Sequence, residues 1–268
     1  MSLSNKFDHF LLTRFNVLLN LPRHPEVIAS KRLNQEWLKN RFELFEQYCL
    51  PSILSQSNQN FKWLVMFDSK IPDDFKERNQ KHGLNCPNYI PIYMDNYTIE
   101  KVKNSISKRL DKEKQFLITT RLDNDDAVCK NYVQMIQDCF CCQKKESINF
   151  TKGYILNHKK NKLYRAKYYS NPFVSLIEKA DNFQTVYIEK HDQLHKIGSV
   201  REIRSNPAWL QCIHGDNIYN FLFGIRQPIK KLSDNFSVNL DCDQYENKYL
   251  ILKDQVACYA SKVINRFF

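Results

Sequence analysis

The chain has 268 residues, 43% of them hydrophobic and 13% aromatic, which is enough length and apolar content for a sizeable globular core and excludes a disordered chain. With only 5 Gly and no GxGxxG or GxxxxGKS/T pattern, Gly-rich phosphate loops are nearly excluded. The net charge of +11 calls for an anionic partner: nucleic acid, a phosphate-bearing small molecule or an anionic membrane surface.

In chain order, FDHFLLT (7–13) reads as a strand and LPRHPEV as a Pro-marked loop. From Asn34 the pattern turns helical, with Leu38, Phe42, Phe45 and Cys49 on one face until Pro51 bends or restarts the helix. FKWLVMF (61–67) is a near-continuous apolar run ending at Asp68, as a strand buried on both faces requires. YIPIYM (89–94) is a short strand, and Ile99, Val102, Ile106 and Leu110 line one face of a following helix. QFLITT (115–120) is the next strand. CKNYVQMIQDCF is a helix with Cys129, Val133, Ile136 and Phe140 in register. This alternation predicts an α/β fold with a mostly parallel central sheet flanked by helices. After residue 150, GYILN and LYRAKYY flank HKKNK as an antiparallel hairpin, and VACYASKVINRFF closes the chain as an apolar-basic helix. No repeat or low-complexity linker interrupts the chain. One domain over 1–268 is expected, in two halves that divide at about residue 150–151, where the pattern changes.

Nine Cys at irregular spacing, after an N-terminus without a signal-peptide apolar region, read as reduced cytosolic thiols. Cys139, Cys141 and Cys142 read as packing thiols rather than a zinc site. No apolar run reaches transmembrane length.

The chemistry concentrates in RLDNDDAV, where Asp123, Asp125 and Asp126 crowd the end of the 115–120 strand. Ligands of open α/β sheets bind beyond the carboxyl ends of the strands, so Arg14, Asp68 and Asp123 are expected to converge on one crevice. Clustered carboxylates are tolerated when a hard divalent cation neutralises them, and such a cation in turn holds phosphate. Two other readings compete. The aspartates could cap a helix start, or one could be the nucleophile of an aspartate-based phosphoryl-transfer enzyme. The basic stretch KKNKLYRAK (159–167), with its tyrosines, could instead mark a nucleic-acid-binding module. That reading explains the charge but not the buried-strand aspartates, so no nucleic acid is expected.

Four segments in order resemble a known family: FLLTRFNV, WLKNRFELFEQYCLPSILSQSNQNFKWLVMFDS, ITTRLDNDDAV and NPAWLQCIHGDN. They are similar to family-2-like glycosyltransferases of the GT-A fold, and closer still to the bacterial family described as putative rhamnosyltransferases. The resemblance runs from about Phe10 to Asn220. It implies a cytoplasmic enzyme of cell-surface polysaccharide synthesis. Such an enzyme moves a sugar, rhamnose by the family's description, from a nucleotide-diphosphate donor to a saccharide or lipid-linked acceptor with inversion. It implies Mn²⁺ or Mg²⁺ as cofactor. RLDNDDAV resembles the family's DxD element. Asp125 then binds the metal, Asp123 faces the ribose and the metal site, and Asp126 supports the metal shell or meets the sugar. His214 resembles the C-terminal histidine that completes the metal or diphosphate site. Asp68 matches the nucleoside-contacting aspartate, although Ser69 follows where a second Asp is usual. Arg14, Asn16 and Arg121 fall beside the nucleotide. An inverting enzyme needs a carboxylate base, and among the acids of the second half Asp216, just after His214, is the favoured one. Trp209 suits either a sugar platform or the core, and His191 and His195 the surface or acceptor side. The C-terminal helix places Val256, Tyr259, Val263 and Phe267 in one stripe. That pattern suits core packing, or a peripheral contact with the inner face of the cytoplasmic membrane.

Overall fold

The computed structural model describes residues 3–18, 31–215, 221–242 and 246–267, with side chains described up to 258. The expected strands appear as β1 (Phe7–Arg14), β2 (Lys62–Asp68), β3 (Tyr89–Met94) and β4 (Phe116–Arg121). β1 lies between β2 and β4, and β3 lies outside β2, all parallel. Phe10 and Leu12 of β1 face one core cluster and Leu11 the other. Strand alternation thus feeds apolar side chains to both faces of the sheet, as a helix-covered parallel sheet demands.

Helix α1 (Gln35–Leu44) starts at Asn34, whose side chain accepts the Trp37 N–H at 2.9 Å. It runs through a π-helical turn (Phe45–Cys49) into α2 (Leu50–Leu54). Pro51 causes this break. It has no N–H for the Gln47 carbonyl four residues back, and that carbonyl accepts the Asn239 N–H instead, at 2.7 Å. α3 (Asp73–Asn85), which the sequence reading passed over, buries only Phe75, Asn79 and His82, so it carries little apolar periodicity. α4 (Ile99–Ser107) packs Val102 and Ile106 on the opposite face of the sheet. α5 (Tyr132–Gln137) is shorter than expected, with Cys129 preceding it.

The second half is richer in strands than its sequence pattern suggests. β6 (Lys145–Phe150), β9 (Val174–Lys179) and β10 (Ser199–Ile203) extend the first sheet to the order β10-β6-β9-β4-β1-β2-β3, with β9 the reversed strand. The predicted hairpin is present as β7 (Lys152–Asn157) and β8 (Lys162–Lys167). It belongs to a second, five-stranded sheet in the order β12-β8-β7-β11-β5, with β5 (Ala127–Val128), β11 (Trp209–Ile213) and β12 (Ile225–Gln227). Trp209 is fully buried. It stacks on Phe173 with ring centroids 5.2 Å apart and donates its indole N–H to the Phe150 carbonyl at 2.7 Å, so it is core. Gly153 on β7 lies directly under that indole, where a Cβ would collide with the ring.

One connection positions the site. Residues 122–126 leave β4 in the first sheet and enter β5 in the second, where Ala127 pairs antiparallel with Leu210. Continuing that register lays Asp126 and Asp125 alongside Gln211 and Cys212, one step before β11 ends and His214 follows. The acidic loop is therefore the crossing point between the two sheets. The last helix, α6 (Lys248–Phe267), packs against β12, with the Gln255 amide donating to the Arg226 carbonyl and the Cys258 thiol to the Gly224 carbonyl just before that strand. Among the described residues no helix is long and apolar enough to cross a membrane.

Candidate functional site

The carboxyl ends of β2, β1 and β4 are adjacent, so Asp68, Arg14 and Asp123 line one edge of the sheet, roughly 5 Å apart strand to strand. Asp68 is buried. It accepts from Arg32 Nε at 2.8 Å and from the Lys70 N–H at 2.8 Å. Asn16 is a brace here, accepting the Asp68 N–H at 3.0 Å and donating to the Arg32 carbonyl at 3.0 Å. The Arg14 guanidinium lies 4.6 Å from the Tyr187 ring centroid and 5.9 Å from that of Tyr97. The Tyr97 hydroxyl is buried beside it, with no hydrogen-bond partner among the described residues.

The three aspartates meet three different fates. Asp123 is chelated by Arg121, with Nη2 at 2.7 Å and Nε at 3.2 Å. Burial alone would raise its carboxyl, but Arg121 and then Arg14 outweigh that and bring it down to about 2. Asp125 is buried, and its Oδ2 accepts from Arg41 Nη1 at 2.8 Å and from His214 Nε2 at 2.8 Å. Burial opposes its ionisation, yet Arg41 and then His214 hold it below the usual carboxylate range. Asp126 is buried and accepts the Cys212 backbone N–H at 2.8 Å. Burial pushes its carboxyl well above the usual range, the charges of Asp125 and Asp123 add to that, and the Cys212 N–H only partly offsets them. Asn124 fixes the loop by donating to the Arg14 and Phe15 carbonyls at 3.2 and 2.9 Å.

Around His214 the second sheet contributes two further groups. His158, at the end of β7, accepts or donates at Nδ1 with the Tyr48 hydroxyl at 2.7 Å. Lys159, from the basic hairpin, lies over Gly215, whose φ of +101° lets the chain turn after His214; a Cβ there would come within 2.8 Å of Lys159 Nζ. His191 bonds the Ser170 carbonyl at 2.7 Å and stands close enough to Asp123 to lower its carboxyl. Glu178 is occupied by the Gln184 and Thr185 N–H groups, both at 2.9 Å. Asp216 lies outside the described residues.

Of the residues expected around a metal, Asp125 and His214 come together, while Asp123 turns to Arg121 and Asp126 to the Cys212 N–H. Among the described residues no three His, Cys, Asp or Glu side chains gather as a complete ligand set. The pair that does meet fits a divalent cation that fills its remaining positions with phosphate oxygens and water. One hard oxygen and one imidazole nitrogen suit Mn²⁺ better than Mg²⁺, which favours oxygen alone. His214 Nε2 faces an ionised carboxylate and so carries the proton here. As a ligand it would present its lone pair, with the proton at Nδ1. Sequence reasoning missed Arg41, His158, Tyr48, Tyr97 and Tyr187. For Arg41 a clue existed in the i, i+4 spacing from Trp37, over whose ring its guanidinium sits at 5.0 Å. A cavity of about 690 Å³ bordered by Tyr154, Arg165, Pro207 and Phe236 opens at the start of β11, the far end of that strand from His214, and is not part of this cluster.

The protein is a mixed α/β fold with an acidic loop at the carboxyl edge of a mostly parallel sheet. Residues 8–221 match the sequence profile of the family described as "Putative rhamnosyl transferase", and the chain belongs to that family. No curated protein matches the chain in sequence. Among solved structures it is similar to S. aureus TarS 1–349 in complex with UDP, at 12% identity and TM-score 0.46 over 78% of this chain and 60% of that one. It is also similar to the same TarS fragment with UDP-GlcNAc, at 11% identity and TM-score 0.47 over 79% and 60%. A third likeness is a putative nucleotide-diphospho-sugar transferase from Desulfovibrio desulfuricans G20, at 8% identity and TM-score 0.38 over 76% and 82%. The chain spans about 60% of the length of those TarS structures. These likenesses are distant, and the family assignment rests on the sequence match.

Folding raises the Asp126 carboxyl above its unfolded value, so its contribution to stability is complete below the unfolded value and is lost as pH rises through the folded one. Asp126→Asn keeps an oxygen for the Cys212 N–H and removes the charge. Without divalent cations, this variant is expected to melt higher than the parent by a margin that widens as pH rises. For a chain of this size each ~1 kcal/mol amounts to roughly 2 °C. Thermal denaturation across pH in a chelating buffer measures it, and a margin that is negative or flat with pH contradicts the assignment.

Proposed function

We propose that this chain is a glycosyltransferase that moves a sugar from a nucleotide-diphosphate donor to a saccharide or lipid-linked acceptor of cell-surface polysaccharide synthesis. The family description supports rhamnose as the sugar. The observation that carries the reading is the meeting of Asp125 and His214 at 2.8 Å, within the segment 8–221 that matches the family.

In this reading the donor's nucleoside lies along the edge formed by Asp68, Arg14, Arg121 and Asp123, with Tyr97 and Tyr187 offering ring faces. Its diphosphate points toward Asp125 and His214. Bound there, Mn²⁺ or Mg²⁺ supplies Lewis-acid charge for the leaving diphosphate. The chain's own residues do the rest. Arg14, Arg121 and Lys159 offset the charge that grows as the glycosidic bond breaks. The buried wall of Asn124, Asp126 and Cys212 keeps the loop rigid, so that Asp125 need not reorganise. Asp216, two residues after His214, is our assignment for the carboxylate that takes the acceptor hydroxyl proton, which gives inversion by direct attack.

α6 supports a peripheral membrane contact. Ile251 is buried, whereas Tyr249, Leu252 and Val256 at i, i+3, i+7 are 69%, 57% and 57% exposed. The same spacing in the sequence reaches Tyr259, Val263 and Phe267, whose side chains lie outside those described, and the chain's +11 charge favours an anionic lipid surface. Such a helix gives weak, salt-sensitive attachment. The doubly substituted Leu252→Ser, Val256→Ser chain is expected to stay folded and to sediment less with anionic vesicles at low salt. Equal sedimentation of parent and variant, or none by the parent, refutes the contact.

The function is tested by thermal shift with nucleoside diphosphates and nucleotide sugars, each with and without Mn²⁺. A ligand at ~100 times its dissociation constant stabilises by roughly 2.7 kcal/mol. The expected result is a cation-dependent shift for one nucleotide, abolished in Asp125→Asn. That variant should also lose roughly 10²-fold or more in turnover. A shift indifferent to Mn²⁺, or unchanged in Asp125→Asn, contradicts the proposal.

A further inference from the structure

Arg41 is the unexpected member of the cluster. It comes from α1, far in sequence from both of its acidic-site partners. Its Nη1 sits 2.8 Å from Asp125 Oδ2, 3.2 Å from Asn124 Oδ1 and 3.5 Å from His214 Nε2. Those are the same carboxylate oxygen and imidazole nitrogen that fit the divalent cation. The guanidinium side chain is about as buried as the carboxylate, with each 11% exposed. Its other side is backed by the Trp37 ring at 5.0 Å.

With His214 already on Asp125 Oδ2, a divalent cation and the Arg41 guanidinium would compete for the same remaining lone pairs, and in a buried site their repulsion is little screened. We propose that Arg41 is a placeholder cation: it and the divalent cation occupy the Asp125–His214 position in mutual exclusion. Arg41 leaves that position when a cation arrives together with a nucleoside diphosphate. This rests on the transferase reading above and adds a regulatory property to it. Released from Asp125, the guanidinium stays tethered by Trp37 beside the position that the diphosphate takes. There it meets two phosphate groups whose geometry its fork of donors matches. The exchange keeps the charge of the buried carboxylate offset at every stage. It also makes cation and nucleotide bind cooperatively, since the nucleotide supplies the new partner that Arg41 needs.

The test is Mn²⁺ binding, followed by calorimetry or by the electron paramagnetic resonance of free Mn²⁺. It uses the full chain with Mn²⁺ alone and then with UDP, GDP or dTDP present. The parent is expected to bind Mn²⁺ weakly alone and much more tightly with one nucleoside diphosphate. Arg41→Gln, which removes the charge, should bind Mn²⁺ alone at least ~10-fold more tightly and gain less from the nucleotide. Arg41→Lys keeps a positive charge and should stay close to the parent with Mn²⁺ alone. Adding Asp125→Asn to Arg41→Gln should cancel the gain, which locates it at this carboxylate. If the parent shows nucleotide-dependent Mn²⁺ binding but folded Arg41→Gln binds Mn²⁺ alone no more tightly, the placeholder role is overturned and the transferase reading stands. If the parent binds Mn²⁺ with none of the nucleotides, the cation-dependent reading falls and takes this role with it.

Discussion

The Asp125 carboxylate is the junction on which the site depends. It receives Arg41 from α1 and His214 from the end of β11, both at 2.8 Å, and it is carried by the loop that links β4 to β5. Three elements of distant sequence position are thereby tied to one oxygen. The bond to His214 spans 89 residues and the bond to Arg41 spans 84. A buried carboxylate is costly unless it is paired and hydrogen-bonded, so this geometry is strongly specified. Removing either partner leaves a desolvated charge, whereas an exposed ion pair of the same length would contribute little.

The neighbouring aspartates show why the cluster is tolerable. Asp123 keeps its charge because Arg121 grips it from two residues away. Asp126 has a backbone N–H and, among the described residues, no cation in contact, and it stands at the raised end of the range. One loop thus holds a strongly acidic carboxyl, a shared one and a weakly acidic one within four positions. Desolvation acts on all three, and the partner each meets decides its charge. Cys49 and Cys212 lie close enough to feel the same charges. Burial first, and then the aspartates, keep both thiols protonated.

Much of this was legible in the sequence, for identifiable reasons. β2 and β4 are near-continuous apolar or β-branched runs, the mark of strands buried on both faces, and the aspartates stand at the end of one of them. The adjacency of Arg14, Asp68 and Asp123 along one sheet edge followed from parallel strand order alone. What was not legible depends on register between distant segments. KESINF and SVREI carry mixed polar residues, and their roles as β6 and β10 follow from pairing rather than pattern. The two-residue β5 has no signature of its own and exists because β11 lies beside it. Arg41 is by sequence one charge among many on α1; only the fold brings it to Asp125. Likewise, the sequence gathers three aspartates, but only geometry shows them facing three different partners.

The most direct measurement is the identity of the products formed when the chain, a divalent cation and a panel of nucleotide-diphosphate sugars are incubated with water as the acceptor. Attack at the sugar carbon releases the nucleoside diphosphate and free sugar. Attack between the phosphates releases a nucleoside monophosphate and a sugar phosphate. The expected result is slow, cation-dependent release of nucleoside diphosphate from one donor, lost in Asp125→Asn. Release of the monophosphate and sugar phosphate, or release that persists in Asp125→Asn, would contradict the assignment of Asp125 and His214 to glycosyl transfer.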